Sequence, residues 1–166
     1  MRKVSLVAVI ACVSVLGLGS AGKYPAALDF QVKTITGDQL KLSQLRGQVV
    51  LIDFWASWCK PCQKEFPFLV ELHQRYAKKG FTVVAINLDE HPASMKKFLE
   101  KLETKVPFPV VADPKGKLPE LYHVEGMPTT VFIDRNGFVR YRQVGFEDKH
   151  KKKYESIVVA LLGEQS

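Results

Sequence analysis

Apolar residues fall into three patterns along this chain. Residues 4–18 are almost continuously apolar, broken only by Ser5 and Ser14. Residues 48–56 and 81–88 are shorter apolar runs, of the kind buried on both faces of a parallel sheet. A helical spacing recurs elsewhere: Leu69, Leu72 and Tyr76; then Met95, Phe98, Leu99 and Leu102; finally Tyr154, Ile157, Val158, Leu161 and Leu162. Shorter signals fill the gaps. Residues 29–34 and 39–42 read as two strands around a Gly37-Asp38 turn, followed by a helical turn at 43–45. Residues 109–112 read as a strand, and 118–122 as a brief helix. Residues 129–134 and 138–144 read as a hairpin joined through Asn136-Gly137, a strong turn signal. The order β–β–β–α–β–α–β–α–β–β–α predicts an α/β fold, a central mixed sheet flanked by helices.

The first apolar run stands apart from the others. Arg2 and Lys3 precede it, and Gly17-Leu18-Gly19-Ser20-Ala21 follows with small residues. We read residues 1–21 as a signal peptide cut near Ala21, and residues 22–166 as one domain. About 15 apolar residues at 1.5 Å each span roughly 23 Å, short of the ~30 Å hydrocarbon core, which disfavours a membrane anchor. Lipidation at Cys12, in Val9-Ile10-Ala11-Cys12, is a further alternative, set aside because apolar residues continue after it. Loss of Arg2 and Lys3 takes the formal charge from +7 to +5. Such a balance mildly favours acidic partners or anionic membrane surfaces, and nucleic acid is not an expected partner.

The mature chain would keep two cysteines, Cys59 and Cys62, which close too short a loop to act as a staple. They sit between a buried strand and a helical pattern, the layout of a redox dithiol. A cysteine at a helix N-terminus meets unpaired N–H groups and the positive end of the dipole, and both favour the reactive thiolate. Half of a zinc site is the competing reading, but zinc takes about four N or S ligands. The four histidines, at 73, 91, 123 and 150, have no ligand spacing. No metal or other cofactor is expected beyond the Cys59–Cys62 pair itself. Pro61 suits the first turn of the following helix, and Pro67 should kink it. Cys59 is the expected attacking thiolate, at the exposed helix end, with Cys62 resolving from one turn inside. Lys60 either lowers the Cys59 pKa or is a solvated lysine. Residues 149–153, Lys-His-Lys-Lys-Lys, read as a solvated face.

Two longer stretches carry a resemblance. Val50-Leu51-Ile52-Asp53-Phe54-Trp55-Ala56-Ser57-Trp58-Cys59-Lys60-Pro61-Cys62 is similar to the active-site strand and turn of thioredoxin. Cys59-Lys60-Pro61-Cys62-Gln63-Lys64-Glu65-Phe66-Pro67 and Val124-Glu125-Gly126-Met127-Pro128-Thr129-Thr130-Val131-Phe132-Ile133-Asp134 resemble the exported TlpA/ResA-like branch of that superfamily. The likeness covers residues 28–163. It implies a thioredoxin fold with an N-terminal hairpin extension and a strand–helix insert at 81–108. It also implies a thiol–disulfide oxidoreductase that reduces protein disulfides outside the cytoplasm, drawing electrons from a membrane thiol carrier. Apocytochrome c is one implied substrate. The cytochrome-maturation branch carries Pro-Glu where this chain has Pro128-Thr129, so a general reductase stays open.

The resemblance implies further site residues. Pro128 matches the family's cis-proline, and Met127 before it would offer backbone groups to substrate. With Trp58 it would line an apolar docking surface, while Trp55 reads as core. Asp53 matches the buried acid of thioredoxin and Glu65 that of the ResA-like branch, so either is a candidate proton shuttle for Cys62. Two other functions remain. A thiol peroxidase would need Pro-x-x-x-Thr-x-x-Cys, which the residues before Cys59 do not supply. A non-catalytic binding or chaperone module would keep the cysteines locked as a disulfide.

Overall fold

The computed structural model describes residues 23–164. The expected signal peptide, its cleavage point and Cys12 lie outside the described residues. The strands are β1 (Gln31–Lys33), β2 (Gln39–Lys41), β3 (Val49–Trp55), β4 (Phe81–Asn87), β5 (Val110–Ala112), β6 (Thr129–Ile133) and β7 (Val139–Val144). The α-helices are α1 (Lys60–Tyr76), α2 (Pro92–Glu100), α3 (Lys117–Leu121) and α4 (Lys149–Gly163). Short 3-10 turns occupy Leu42–Leu45 and Ala77–Lys79.

A five-stranded sheet runs in the order β5-β4-β3-β6-β7. β3 pairs parallel with β4, and β4 with β5; β6 is antiparallel to both β3 and β7. β3 lies at the centre with all seven residues buried, which is why its sequence reads as a continuous apolar run. Alternation divides its side chains between two cores. Val49, Leu51 and Trp55 pack with residues of α1, α2 and α4. Val50, Ile52 and Phe54 pack with Leu118 and Tyr122 at α3 and with the N-terminal hairpin. Asp53 has the parity of the first set, so its carboxyl enters the α1–α4 side.

The N-terminal residues form a strap over the second core. Ala27 N–H donates to Gly137 O and Val139 N–H to Pro25 O at one side of the sheet. Further on, the Tyr122 hydroxyl holds Leu28 O at 2.6 Å. Ile35 N–H then donates to Val110 O at the opposite edge, beside the β1–β2 hairpin.

Several expectations shift in detail. α1 continues as one helix through Pro67, where the sequence leads one to expect a kink. The proline brings no N–H to Gln63 O, but Phe66, Phe68, Leu69 and Val70 around it are all buried, and that packing holds the helix. α2 stops at Glu100, before Leu102. Lys101 and Leu102 donate to carbonyls three residues back, so the chain tightens into a turn there. The hairpin around Asn136-Gly137 is not the two-residue type. Gly137 N–H closes a turn to Asp134 O, Gly137 takes φ 83°, and Asp134 Oδ1 accepts from Asn136 and Phe138 N–H. This is a type I turn with a glycine bulge, so β7 begins one residue later than expected. The basic run opening α4 is partly neutralised: Lys149 pairs with Glu147 and Lys151 with Asp148, while Lys153 lies over the Tyr141 ring.

Candidate active site

Strand β3 ends at Trp55, and a turn closed by Cys59 N–H to Ala56 O lifts the chain onto α1. Cys59 is the N-cap of that helix, its sulfur accepting from Cys62 N–H at 3.3 Å. Pro61 occupies the first turn, where its missing N–H costs nothing. The two cysteines form a disulfide, S–S 2.05 Å, Cα–Cα 5.2 Å. Cys59 is 6% exposed and Cys62 1%. The expected order of access holds, but the expected exposure of Cys59 does not, because the bond to Cys62 keeps its sulfur against the helix end. Trp58 is instead the projecting group, 65% exposed. Lys60 and Pro61 are exposed beside it.

The Met127–Pro128 peptide is cis. Pro128 is buried, its carbonyl accepting from Gly145 N–H at 2.8 Å, and Met127 is half-buried against the core that contains both cysteines. Among the described residues, no hydrogen bond engages the N–H or C=O of Met127.

Beneath Cys62, the chain collects acids. Glu65 follows one turn later on the same helix face and is fully buried. Asp53, 1% exposed, stands directly opposite Thr130 in the antiparallel register of β3 and β6. Thr130 Oγ1 donates to Glu65 Oε1 at 2.9 Å, which uses its only proton. The Tyr154 hydroxyl, 2.9 Å from Thr130 Oγ1, must therefore be the donor between those two. Tyr154 from α4, Thr130 from β6 and Glu65 from α1 thus form a hydrogen-bonded chain that ends beside Asp53. Asp53 Oδ1 and Glu65 Oε2 have no partner among the described residues.

Burial penalises the charged form of both acids. The Glu65 carboxyl is pushed up to about 7 by desolvation, against the opposing hydrogen bond from Thr130 and the nearby Tyr154 hydroxyl. Asp53 is raised well above the ordinary carboxylate range, first by desolvation and then by the Glu65 charge. Two carboxyls sharing one apolar site resist holding two negative charges, so the pair retains a proton near neutrality.

The sequence reading named Asp53 and Glu65 but missed Thr130 and Tyr154. Thr130 lies just after the Met127-Pro128 motif, yet only the β3–β6 register shows what it faces. Tyr154 passed as core, although a hydroxyl within an aliphatic stripe was the available signal.

The model of the AhpC/TSA family matches residues 25–142, most of the chain. The chain belongs to the AhpC/TSA family. Within this AhpC/TSA protein the match ends inside β7, so α4 and Tyr154 lie beyond it. Among curated relatives, thiol-disulfide oxidoreductase ResA of Bacillus cereus is 35% identical over 125 residues, 75% of this chain and 71% of that one. ResA of Geobacillus thermodenitrificans is 36% identical over 133 residues, 79% and 75% of the two chains. A Chlorobium tepidum structure assigned as thiol:disulfide interchange protein DsbE superposes with TM-score 0.80 at 45% identity, covering 85% of this chain and 98% of that one. The exposed lipoprotein thioredoxin of Streptococcus pneumoniae superposes at 0.69 with 30% identity, covering 81% and 100%. The protein therefore has the thioredoxin fold and is a ResA-like thiol–disulfide oxidoreductase.

Proposed function

We propose that this AhpC/TSA-family oxidoreductase works outside the cytoplasm, reducing disulfides of exported proteins. The observation that carries the chemistry is the Cys59–Cys62 pair at the start of α1, one turn ahead of the buried Glu65 on the same helix face, with the proton-retaining Asp53 carboxyl feeling the Glu65 charge. Cys59 thiolate attacks a substrate disulfide; a bond forms from Cys59 to one substrate sulfur, and the other leaves as a thiolate that takes a proton. Cys62 gives its proton to the Glu65–Asp53 pair and attacks the Cys59 sulfur. The second substrate thiolate departs, leaving the Cys59–Cys62 disulfide, and the substrate has gained two electrons. Trp58 and Met127 line the docking surface, with the free Met127 backbone groups receiving an extended substrate and Pro128 shaping the loop. A dithiol carrier at the membrane would restore the enzyme.

The location rests on the signal-peptide pattern of residues 1–21 and on likeness to a lipoprotein described as exposed. Cysteines of apocytochrome c fit as substrates by family resemblance, while Pro128-Thr129 favours a broader range. The peroxidase reading finds no support at the site, since Ile52 and Ala56 stand where its motif needs Pro and Thr.

Equilibration against glutathione tests the direction. A potential near the reducing end of the range for related dithiols, roughly −270 mV rather than −120 mV, is expected. An oxidising value would overturn the reductase assignment. Cys62→Ala should accumulate mixed disulfides through Cys59, which identifies the substrates.

A further inference from the structure

Among the buried carboxylates that take no part in these steps, Asp89 lies nearest the turn that carries Cys59. Asp89 follows β4 and is 3% exposed. Both its oxygens accept from Ser57 N–H at 3.2 Å, and Oδ1 also accepts from the Ser57 hydroxyl at 3.0 Å. Oδ2 accepts from Asn87 Nδ2 at 2.8 Å. The Asn87 amide orientation is set independently, because its Oδ1 accepts from Asp89 N–H at 3.1 Å. Every polar neighbour therefore donates to the carboxyl oxygens and none accepts from them.

Ser57 is the second residue of the turn that delivers the nucleophile. Its carbonyl accepts from the Gln63 side chain at 2.6 Å, so the N–H, hydroxyl and carbonyl of Ser57 are all engaged. Leu88 N–H donates to Trp55 O at 2.9 Å, tying the ends of β3 and β4 together at the same point. The next residues along this held turn are Trp58 and Cys59.

We propose that Asp89 is a positioning residue for Cys59: it pins the Ala56–Cys59 turn and sets a fixed negative charge beside the N-terminus of α1. That charge opposes the positive end of the helix, which alone would favour the Cys59 thiolate. A dithiol whose reduced form is strongly stabilised is an oxidant. Asp89 thus limits thiolate stabilisation and keeps the pair reducing, an argument that rests on the reductase reading above.

The test uses the full chain carrying Asp89→Asn or Ser57→Ala. Asp89→Asn removes the charge and turns an amide donor towards groups that themselves donate. It should shift the glutathione equilibrium about tenfold towards the dithiol, about 30 mV less negative, and lower the pH at which Cys59 reacts with iodoacetamide. Ser57→Ala keeps the charge and loses the hydroxyl bond. It should slow insulin reduction several-fold while leaving the glutathione equilibrium unchanged. A folded Asp89→Asn protein with the parent's equilibrium and thiolate titration overturns the proposal. If Asp89→Asn does not fold, Ser57→Ala decides it: an unchanged rate overturns it, and a slowed rate at constant equilibrium supports it. An oxidising potential in the parent protein sinks the reductase reading instead, and the shift between variants is still measured separately.

Discussion

Replacing Glu65 by Gln tests the buried acid pair through stability as well as rate. The carboxyl is fully buried, with Oε1 held by Thr130 and Oε2 without a partner among the described residues. Its pKa rises from the ordinary 4.5 to about 7 on folding. Below pH 4.5 both folded and unfolded chains hold the proton, and the site imposes no ionisation penalty. As pH rises through the interval, the unfolded chain releases the proton and the folded protein keeps it. The unfolded state is favoured by about 1.4 kcal/mol per pH unit, until the folded carboxyl also ionises near 7. The accumulated loss is about 3 kcal/mol. Gln at this site has no such titration but leaves a buried amide donor unpaired, at a cost of about 1–3 kcal/mol. Urea unfolding of the oxidised proteins from about pH 5 to 8 should therefore show the variant less stable at the acid end and equal or more stable at the alkaline end. Loss of the Glu65 charge also eases ionisation of Asp53, which moves the curves in the same direction. Resolution of the mixed disulfide near pH 7 should slow by about tenfold to a hundredfold. Parallel stability curves across this pH range would refute the reasoning.

Three further outcomes are expected. Thr130→Val removes the link between Tyr154 and Glu65, stranding both; urea midpoints should report a loss of about 2 kcal/mol, with resolution slowed as well. Trp58→Ala should leave the unfolding free energy within about 0.5 kcal/mol, because the ring is 65% exposed, while raising KM for protein disulfides in an insulin assay. Phe66→Ala empties the centre of the Trp55, Phe98 and Phe108 ring cluster beneath α1, and thermal unfolding should show a loss of about 3–5 kcal/mol.

Much of the fold was legible because β3 and β4 are buried on both faces and therefore carry apolar residues at every position but a few. Cys59 and Cys62 were legible as a pair set between a buried strand and a helix, and Asp53 because a lone carboxyl in such a strand is costly; Glu65 was legible only through the family resemblance. Hidden from the sequence was anything set by register between distant strands. Thr130 matters because it faces Asp53, and Asp89 because β4 ends beside Ser57. Neither adjacency has a period or spacing along the chain. The exposure of Cys59 was misjudged for a different reason, since access to its sulfur depends on whether the disulfide is closed.

The strap over the second core bears on when this domain can finish folding. Residues 25–27 hydrogen-bond to residues 137–139, and residue 35 to residue 110. The earliest part of the domain to be synthesised thus has its partners among the last. Until β7 has emerged, Phe30 and Leu40 lack a complete surface to cover, and the core sheet lacks its cover in turn. The strap therefore closes only after most of the domain has been synthesised. If the protein is exported as proposed, late closure of this strap would leave the chain unfolded for longer before it crosses the membrane.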